Sequence, residues 1–141
     1  MFGIEFDLRQ KVLLVVFSDR FTTDDLAVLD DVSEVLVEAE GPVSGIFDYS
    51  SIEGVDVTMR HMASRGRRAQ LCPGLRRAIV APQPEMFQLA QVFATNQDAV
   101  GSEPPKVVTT MAEAVKWLGL ERLQSRPVEI GWLREQLRFV R

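Results

Sequence analysis

The chain has 141 residues, a formal net charge of −4 and a hydrophobic fraction of 46%, which predicts one domain whose core needs no disulfide or metal. Its single cysteine, Cys72, excludes an intrachain disulfide and suits a reducing compartment. No apolar run approaches the roughly 20 residues of a membrane span, and residues 1–5 show no leader pattern. We therefore expect a soluble, cytoplasmic protein without integral membrane association.

Charge is distributed unevenly along the chain. Residues 1–58 hold three basic and thirteen acidic side chains, whereas residues 59–78 hold six arginines and no acidic residue. The acidic first half argues against nucleic-acid binding. The arginine block suits an anion, an acidic partner or the protein's own acidic helix, and pairing within the protein or solvation is the ordinary explanation for such a block.

The first part of the chain predicts two strands and a long helix. Residues 4–8 alternate apolar and polar side chains, as a half-exposed strand does, and residues 12–17 are continuously apolar and rich in valine, as in a strand covered on both faces. Residues 22–39 repeat apolar side chains every three or four positions, which predicts an amphipathic helix. Thr22 can cap that helix, with Asp25 at the capping-box spacing.

The middle of the chain carries the predicted site. Residues 43–47 form a short apolar run that predicts a buried strand, and Asp48 ends it. We expect a polar loop over residues 50–54 and then a helix over residues 58–70. The remaining chain predicts a strand, a helix, a strand and a helix over residues 75–81, 84–100, 106–109 and 111–118.

The resulting order is β-β-α-β-α-β-α-β-α. Strands separated by helices pair in parallel through right-handed crossovers, and only the first strand is free to run antiparallel. The sequence therefore predicts an α/β fold with a mixed, mostly parallel five-stranded sheet over residues 1–120. Residues 121–141 are expected to form a linker, broken at Arg126-Pro127, and a C-terminal amphipathic helix from Ile130. That helix suits packing on its own sheet, pairing in a homodimer or a membrane surface.

The segment from Asp48 to Met59 resembles the central signature of the STAS family, the anti-sigma-factor-antagonist fold. That signature runs Asp-Leu-Ser-Gly-Val, two residues, an apolar residue and Asp-Ser-Ser-Gly. Here Asp48, Ser50 and Asp56 match it, and Thr58 stands where the regulatory antagonists carry their phosphorylated serine. The neighbours of Thr58 differ from the Ser and Gly of the signature.

Two later segments, residues 77–82 and 112–118, are similar to the uncharacterised bacterial branch called SpoIIAA-like or STAS/Sec14-like. The resemblance covers about residues 1–120. It implies a SpoIIAA-like fold and a non-enzymatic module that acts by docking to a protein partner.

Thr58 has two interpretations. A hydroxyl at the start of a helix is a common N-cap, and it is also a phosphoacceptor whose phosphate would meet free backbone N–H groups. Arg60, or the arginines at 65, 67 and 68, are candidate partners for that phosphate. The predicted docking residues around Thr58 are Asp48, Ser50, Ser51, Asp56 and Arg60.

The sequence contains no complete catalytic set. Asp48 lacks the acidic pair and the lysine that aspartyl-phosphate chemistry requires, so we expect it to accept backbone N–H groups in its loop. His61 is the only histidine, no Gly-x-Ser-x-Gly elbow is present, and one histidine with one cysteine disfavours a zinc site. We therefore expect neither an enzyme nor a cofactor.

An alternative function rests on apolar side chains. Methionines and phenylalanines at positions 59, 62, 86, 87 and 93 predict either ordinary core packing or a groove between helices. Such a groove would accept a lipid or another small apolar ligand.

Overall fold

The computed structural model describes residues 1–129. The predicted C-terminal amphipathic helix lies outside these residues. In chain order the elements are β1 (Phe2–Asp7), β2 (Val12–Phe21), α1 (Thr23–Glu40), β3 (Ser44–Val55), α2 (Met59–Gly66), β4 (Arg77–Val80), α3 (Pro84–Ala99), β5 (Lys106–Val108), α4 (Met111–Trp117) and β6 (Arg126–Val128).

The strands form one mixed sheet in the order β5-β4-β3-β2-β1-β6. Strands β2 to β5 run parallel, and β1 is antiparallel to both β2 and β6. The α/β class and the order of the first nine elements are as the sequence predicted. The right-handed crossover rule explains why the helices between the parallel strands share one face.

The predicted strand count is wrong, because the sheet has a sixth strand within the predicted linker. In β6, Val128 pairs with Ile4 and Arg126 with Phe6. Pro127 suggested a break because proline cannot donate a ladder hydrogen bond. It is accommodated because β6 is an edge strand, where an N–H group would have no sheet partner on the outer side.

The predicted polar loop over residues 50–54 is also wrong, because β3 continues through it to Val55. It stays paired with β2, from Val12 opposite Ser44 to Phe21 opposite Val55, with two register shifts on the way. Such irregularities let a strand bend and continue with polar, solvent-facing residues. The strand end therefore presents polar side chains on a hydrogen-bonded backbone.

Helix α1 has the capping box that its sequence predicted. The Asp25 N–H donates to Thr22 Oγ1 at 3.2 Å, and the Thr22 N–H donates to Asp25 Oδ2 at 3.1 Å. Its apolar side packs on the sheet through Leu26, Leu29, Val32, Val35 and Leu36, all buried.

Helix α2 ends at Gly66, four residues before the predicted end. A Cβ atom at Gly66 would lie 2.6 Å from the Phe93 carbonyl oxygen, so glycine permits a close approach of α2 to α3. The buried Gln97 of α3 donates through Nε2 to the carbonyl oxygens of Gly66 at 2.6 Å and Arg68 at 2.8 Å. This amide satisfies carbonyl groups that the helix end leaves without an intrahelical partner.

The two faces of the sheet are covered differently. Helices α1, α2 and α3 contribute to the larger core cluster on one face. Helix α4 covers the other face, together with the segment that follows it through Leu118, Leu120 and Leu123.

Candidate functional site

The predicted docking residues lie at the carboxyl end of β3 and the start of α2. We call the exposed polar region formed there by Asp48, Ser50, Ser51, Asp56, Thr58 and Arg60 the strand-end surface. Asp48 is half-buried and the other five are exposed. Asp48 Oδ1 accepts the Ser50 N–H at 2.9 Å and the Ser50 hydroxyl at 2.6 Å. The expected role of Asp48 as a backbone acceptor is confirmed, although on a strand instead of a loop.

Asp56 forms a bidentate ion pair that the sequence did not reveal. Arg20 at the end of β2 donates to it through Nε at 2.7 Å and NH2 at 2.6 Å. These bonds hold the pKa of the Asp56 carboxyl below its usual value. Gly54 lies opposite Arg20 in the sheet, and a Cβ atom there would collide with the guanidinium. Glycine thus leaves room for the arginine to cross β3 to Asp56.

Thr58 is the N-cap of α2. Its exposed side chain accepts the His61 N–H through Oγ1 at 3.0 Å, as expected for a capping hydroxyl. Two of the arginines suggested as phosphate partners are engaged elsewhere, because Arg65 and Arg68 both bind Asp30 of α1. Pairing of the arginine block within the protein is therefore confirmed for these two residues.

No metal-binding cluster of histidine, cysteine, aspartate and glutamate is found within residues 1–129. His61 and Cys72 are each partly buried. None of the helices that the structure describes is both long enough and apolar enough to cross a membrane.

A second candidate site is a groove that is lined in part by Met62 and Arg65 of α2. It has a volume of about 330 Å³ and lies over β2, β3 and β4, between α1 and the segment from α2 to Cys72. Its floor includes Leu13, Phe47, Tyr49 and Ile79, and its walls include Leu26, Leu29, Val37 and Met62. The residues forming it come from six elements, so no contiguous sequence pattern indicates it.

Tyr49 in the floor of the groove packs on two aromatic side chains that are fully buried beneath it, Phe17 and Phe21. The Tyr49 ring stacks on Phe17 at a centroid distance of 4.4 Å and meets Phe21 edge-on at 4.8 Å. Burial raises the pKa of the Tyr49 hydroxyl, which keeps it neutral at physiological pH. The Tyr49 hydroxyl therefore contributes no charge to the groove.

Arginines lie around the rest of the groove. Arg65, whose side chain is 15% exposed, donates to Asp30 at 2.8 Å through NH1 and at 2.5 Å through NH2, and Arg68 donates to the same carboxylate at 3.1 Å. Asp30 belongs to α1, whereas Arg65 lies in α2 and Arg68 lies just after its end. These ion pairs therefore connect the two walls of the groove, α1 on one side and α2 with the segment after it on the other.

Of the five methionines and phenylalanines that were candidates for lining a groove, only Met62 and Phe93 line this one. Met86 is fully buried, as the core-packing alternative expects, and Phe87 packs against the same core. Met59 is 52% exposed. Helical spacing placed these residues near one another but did not show which of them face the opening between α1 and α2.

No family model, curated protein or solved structure matches the chain. The resemblance to the STAS family therefore stays a prediction. The geometry of the strand-end surface and of the groove is the basis for the functions proposed below.

Proposed function

We propose that this protein is a non-enzymatic, STAS-like interaction module that docks to a protein partner through the strand-end surface. The observation that carries this proposal is that an exposed polar surface is held in place by bonds within the protein. Asp48 fixes Ser50, Arg20 fixes Asp56, and Thr58 caps α2. Side chains that are already ordered lose less conformational entropy when a partner binds.

The charge of this end of the sheet favours a basic partner surface. Exposed acidic side chains lie in or just after the carboxyl ends of β2, β3 and β4 here, and they are Asp19, Glu53, Asp56 and Glu85. The exposed basic side chains in the same region are Arg20 and Arg60, and Arg20 is neutralised by Asp56. An excess of negative charge steers a positively charged surface toward this end and repels an acidic one.

Phosphorylation of Thr58 would regulate this surface. The hydroxyl is exposed at the first turn of α2, and a phosphate there would add close to two negative charges beside Asp56. Arg60 and Arg67 remain the candidate phosphate partners, since Arg65 and Arg68 bind Asp30. The phosphate would increase the acidity of the surface and strengthen docking of a basic partner.

Charge reversal tests the docking proposal. Affinity capture and quantitative mass spectrometry of cell extract would compare the wild-type chain with Glu53→Arg and with Glu38→Arg, a matched control on the exposed side of α1. We expect a partner that the wild type and Glu38→Arg retain equally and that Glu53→Arg loses by about tenfold, with its retention decreasing as salt rises. Equal retention by all three proteins would contradict the proposal.

Binding of a small apolar ligand is a second candidate function, and the groove is the observation that favours it. Its volume of about 330 Å³ lies at the lower end of the range of about 300–1,000 Å³ that is usual for ligand sites. Native mass spectrometry of freshly purified protein would detect a ligand that co-purifies in the groove. A mass equal to that of the bare chain, both before and after addition of single-chain lipids, would contradict this function.

A further inference from the structure

We propose that the groove binds a single-chain amphiphile whose carboxylate lies against Arg77 and whose hydrocarbon chain lies on the apolar floor. This inference rests on the second candidate function, ligand binding in the groove, and it is independent of docking at the strand-end surface. It is carried by the cation that Arg77 places at the edge of a largely apolar floor.

The polar end of the groove lies at the start of the parallel strands. Leu13, Gly45 and Arg77 are register partners across β2, β3 and β4, so they form one row of the sheet. Gly45 contributes no side chain, and a Cβ atom there would lie 3.0 Å and 3.2 Å from two atoms of the Phe47 ring. The missing side chain keeps the groove open beside the Arg77 guanidinium.

Among residues 1–129, Arg77 forms no ion pair with a carboxylate, and the nearest acid acting on it, Glu103, does so at longer range. Its NH2 group donates to two uncharged acceptors, Gln97 Oε1 and the Glu103 carbonyl oxygen, each at 2.7 Å. A guanidinium has five N–H donors in a planar fork, so other donors remain for a ligand. Burial of this half-buried cation lowers its pKa, which shows that removal from water disfavours its charge and that an anion beside it would be stabilised.

The other arginines of the groove differ from Arg77. Arg65 and Arg68 share the carboxylate of Asp30, so their charges already have a partner within the protein. A ligand carboxylate therefore gains most at Arg77, where it would form a charge-assisted pair with the donors that Gln97 and the Glu103 carbonyl leave unused, without displacing a protein carboxylate.

The size and the lining of the groove define the rest of the ligand. Away from Arg77 the floor and walls are largely apolar, through Leu13, Leu29, Phe47 and Ile79. A volume of about 330 Å³ suits one short hydrocarbon chain, since two-chain phospholipids require sites well above the lower limit for ligand pockets. A chain of about ten carbons with one terminal carboxylate satisfies both the charge and the volume.

Calorimetric titration of the full chain with decanoate and with 1-decanol tests the inference. We expect wild-type protein to bind decanoate about tenfold or more tightly than decanol, because only the carboxylate pairs with a guanidinium. Arg77→Leu should reduce the decanoate affinity about tenfold and leave the decanol affinity within twofold. Arg77→Lys should restore part of the decanoate affinity, since it keeps the charge but not the planar fork.

Two further variants serve as a control and as an independent measurement. Arg76→Leu removes the neighbouring charge, which lies over the Trp117 ring, and should leave both affinities unchanged. Ser33→Phe places a ring in the groove from α1 and should reduce binding of both ligands. Circular dichroism would verify that each variant is folded. The comparison of decanoate with decanol on the wild-type protein does not depend on the folding of any variant.

The outcomes separate the inference from the function on which it rests. Equal wild-type affinity for decanoate and decanol, with Ser33→Phe reducing both, would overturn the carboxylate site and retain apolar-ligand binding. No binding of either ligand to the wild type would overturn both. Tighter decanoate binding that Arg77→Leu leaves unchanged would place the headgroup elsewhere and overturn the assignment to Arg77.

Discussion

The strand-end surface and the groove both include residues of α2, and they differ in how they are built. Most of the strand-end surface comes from one continuous segment, residues 48–60, whose polar side chains are held by short-range bonds such as Asp48 to Ser50. The groove collects side chains from six elements and places Arg77, which forms no ion pair within residues 1–129, beside apolar residues. A surface of the first kind is suited to a large polar partner, and a site of the second kind to a small amphiphile.

The largest expected effect follows from breaking the element that both regions share. Gly66→Val would place a side chain against the Phe93 carbonyl oxygen, 2.6 Å from the new Cβ, and against Asn96. The Phe93 backbone can shift away from the new side chain only at a substantial cost in free energy. We therefore expect the free energy of unfolding to fall by about 3 kcal/mol. Chemical denaturation would measure this change, and both partner retention and decanoate binding should weaken.

Ser64→Ala is the control for Gly66→Val, since Ser64 lies on the exposed side of α2. It should change stability by less than about 0.5 kcal/mol. A Gly66→Val protein as stable as the wild type would show that α2 and α3 are not packed as closely as described.

A smaller effect is expected outside both regions, at the buried carboxylate of Asp7. Its oxygens accept the Gln10 N–H at 2.9 Å, the Gln10 Nε2 group at 2.9 Å and the Gln124 N–H at 3.0 Å. Asp7→Asn would turn an NH2 group toward one of these donors, and we expect stability to fall by about 2 kcal/mol. Both binding activities should persist, because Asp7 contacts neither surface.

The pH dependence of stability provides a second measurement at Asp7. Backbone hydrogen bonds, first from Gln10 and then from Gln124, lower its pKa from 3.8 to about 2. The stabilisation that the carboxylate provides is therefore complete above pH 3.8 and is lost as pH falls toward 2. Denaturation curves of Asp7→Asn should lack this contribution, and a wild-type pH dependence in the variant would contradict it.

The smallest effect separates the two roles of Thr58 within the strand-end surface. Thr58→Ala removes the acceptor of the His61 N–H, so we expect a loss of about 1 kcal/mol in unfolding free energy. Thr58→Ser retains a capping hydroxyl and should lose only a few tenths of this amount. Thermal denaturation would measure both variants.

Phosphorylation assays on the same pair distinguish a phosphoacceptor from a cap. Modification of the wild type and Thr58→Ser, but not of Thr58→Ala, would support the proposed switch. Modification of all three proteins at other positions would leave Thr58 as a cap alone.

Local signals predicted the features that depend on neighbouring residues. The capping box of Thr22 and Asp25 appeared as expected, and Thr58 caps α2. Such features follow from sequence because the donor and the acceptor lie within one helical turn. The predicted ends of β3 and α2 were wrong because pairing with β2 and packing on α3 decide where these elements end.

The sequence by itself determined the α/β class, the order of the first nine elements and the residues of the strand-end surface, since all of these depend on periodicity and on contacts within short segments. Tertiary structure alone decided that β6 pairs with β1, that Arg20 neutralises Asp56 and that Arg77, within residues 1–129, lies beside the groove without an ion pair. The physical reason is distance along the chain, because a pairing between residues tens of positions apart exists only after the crossovers bring their strands and helices together.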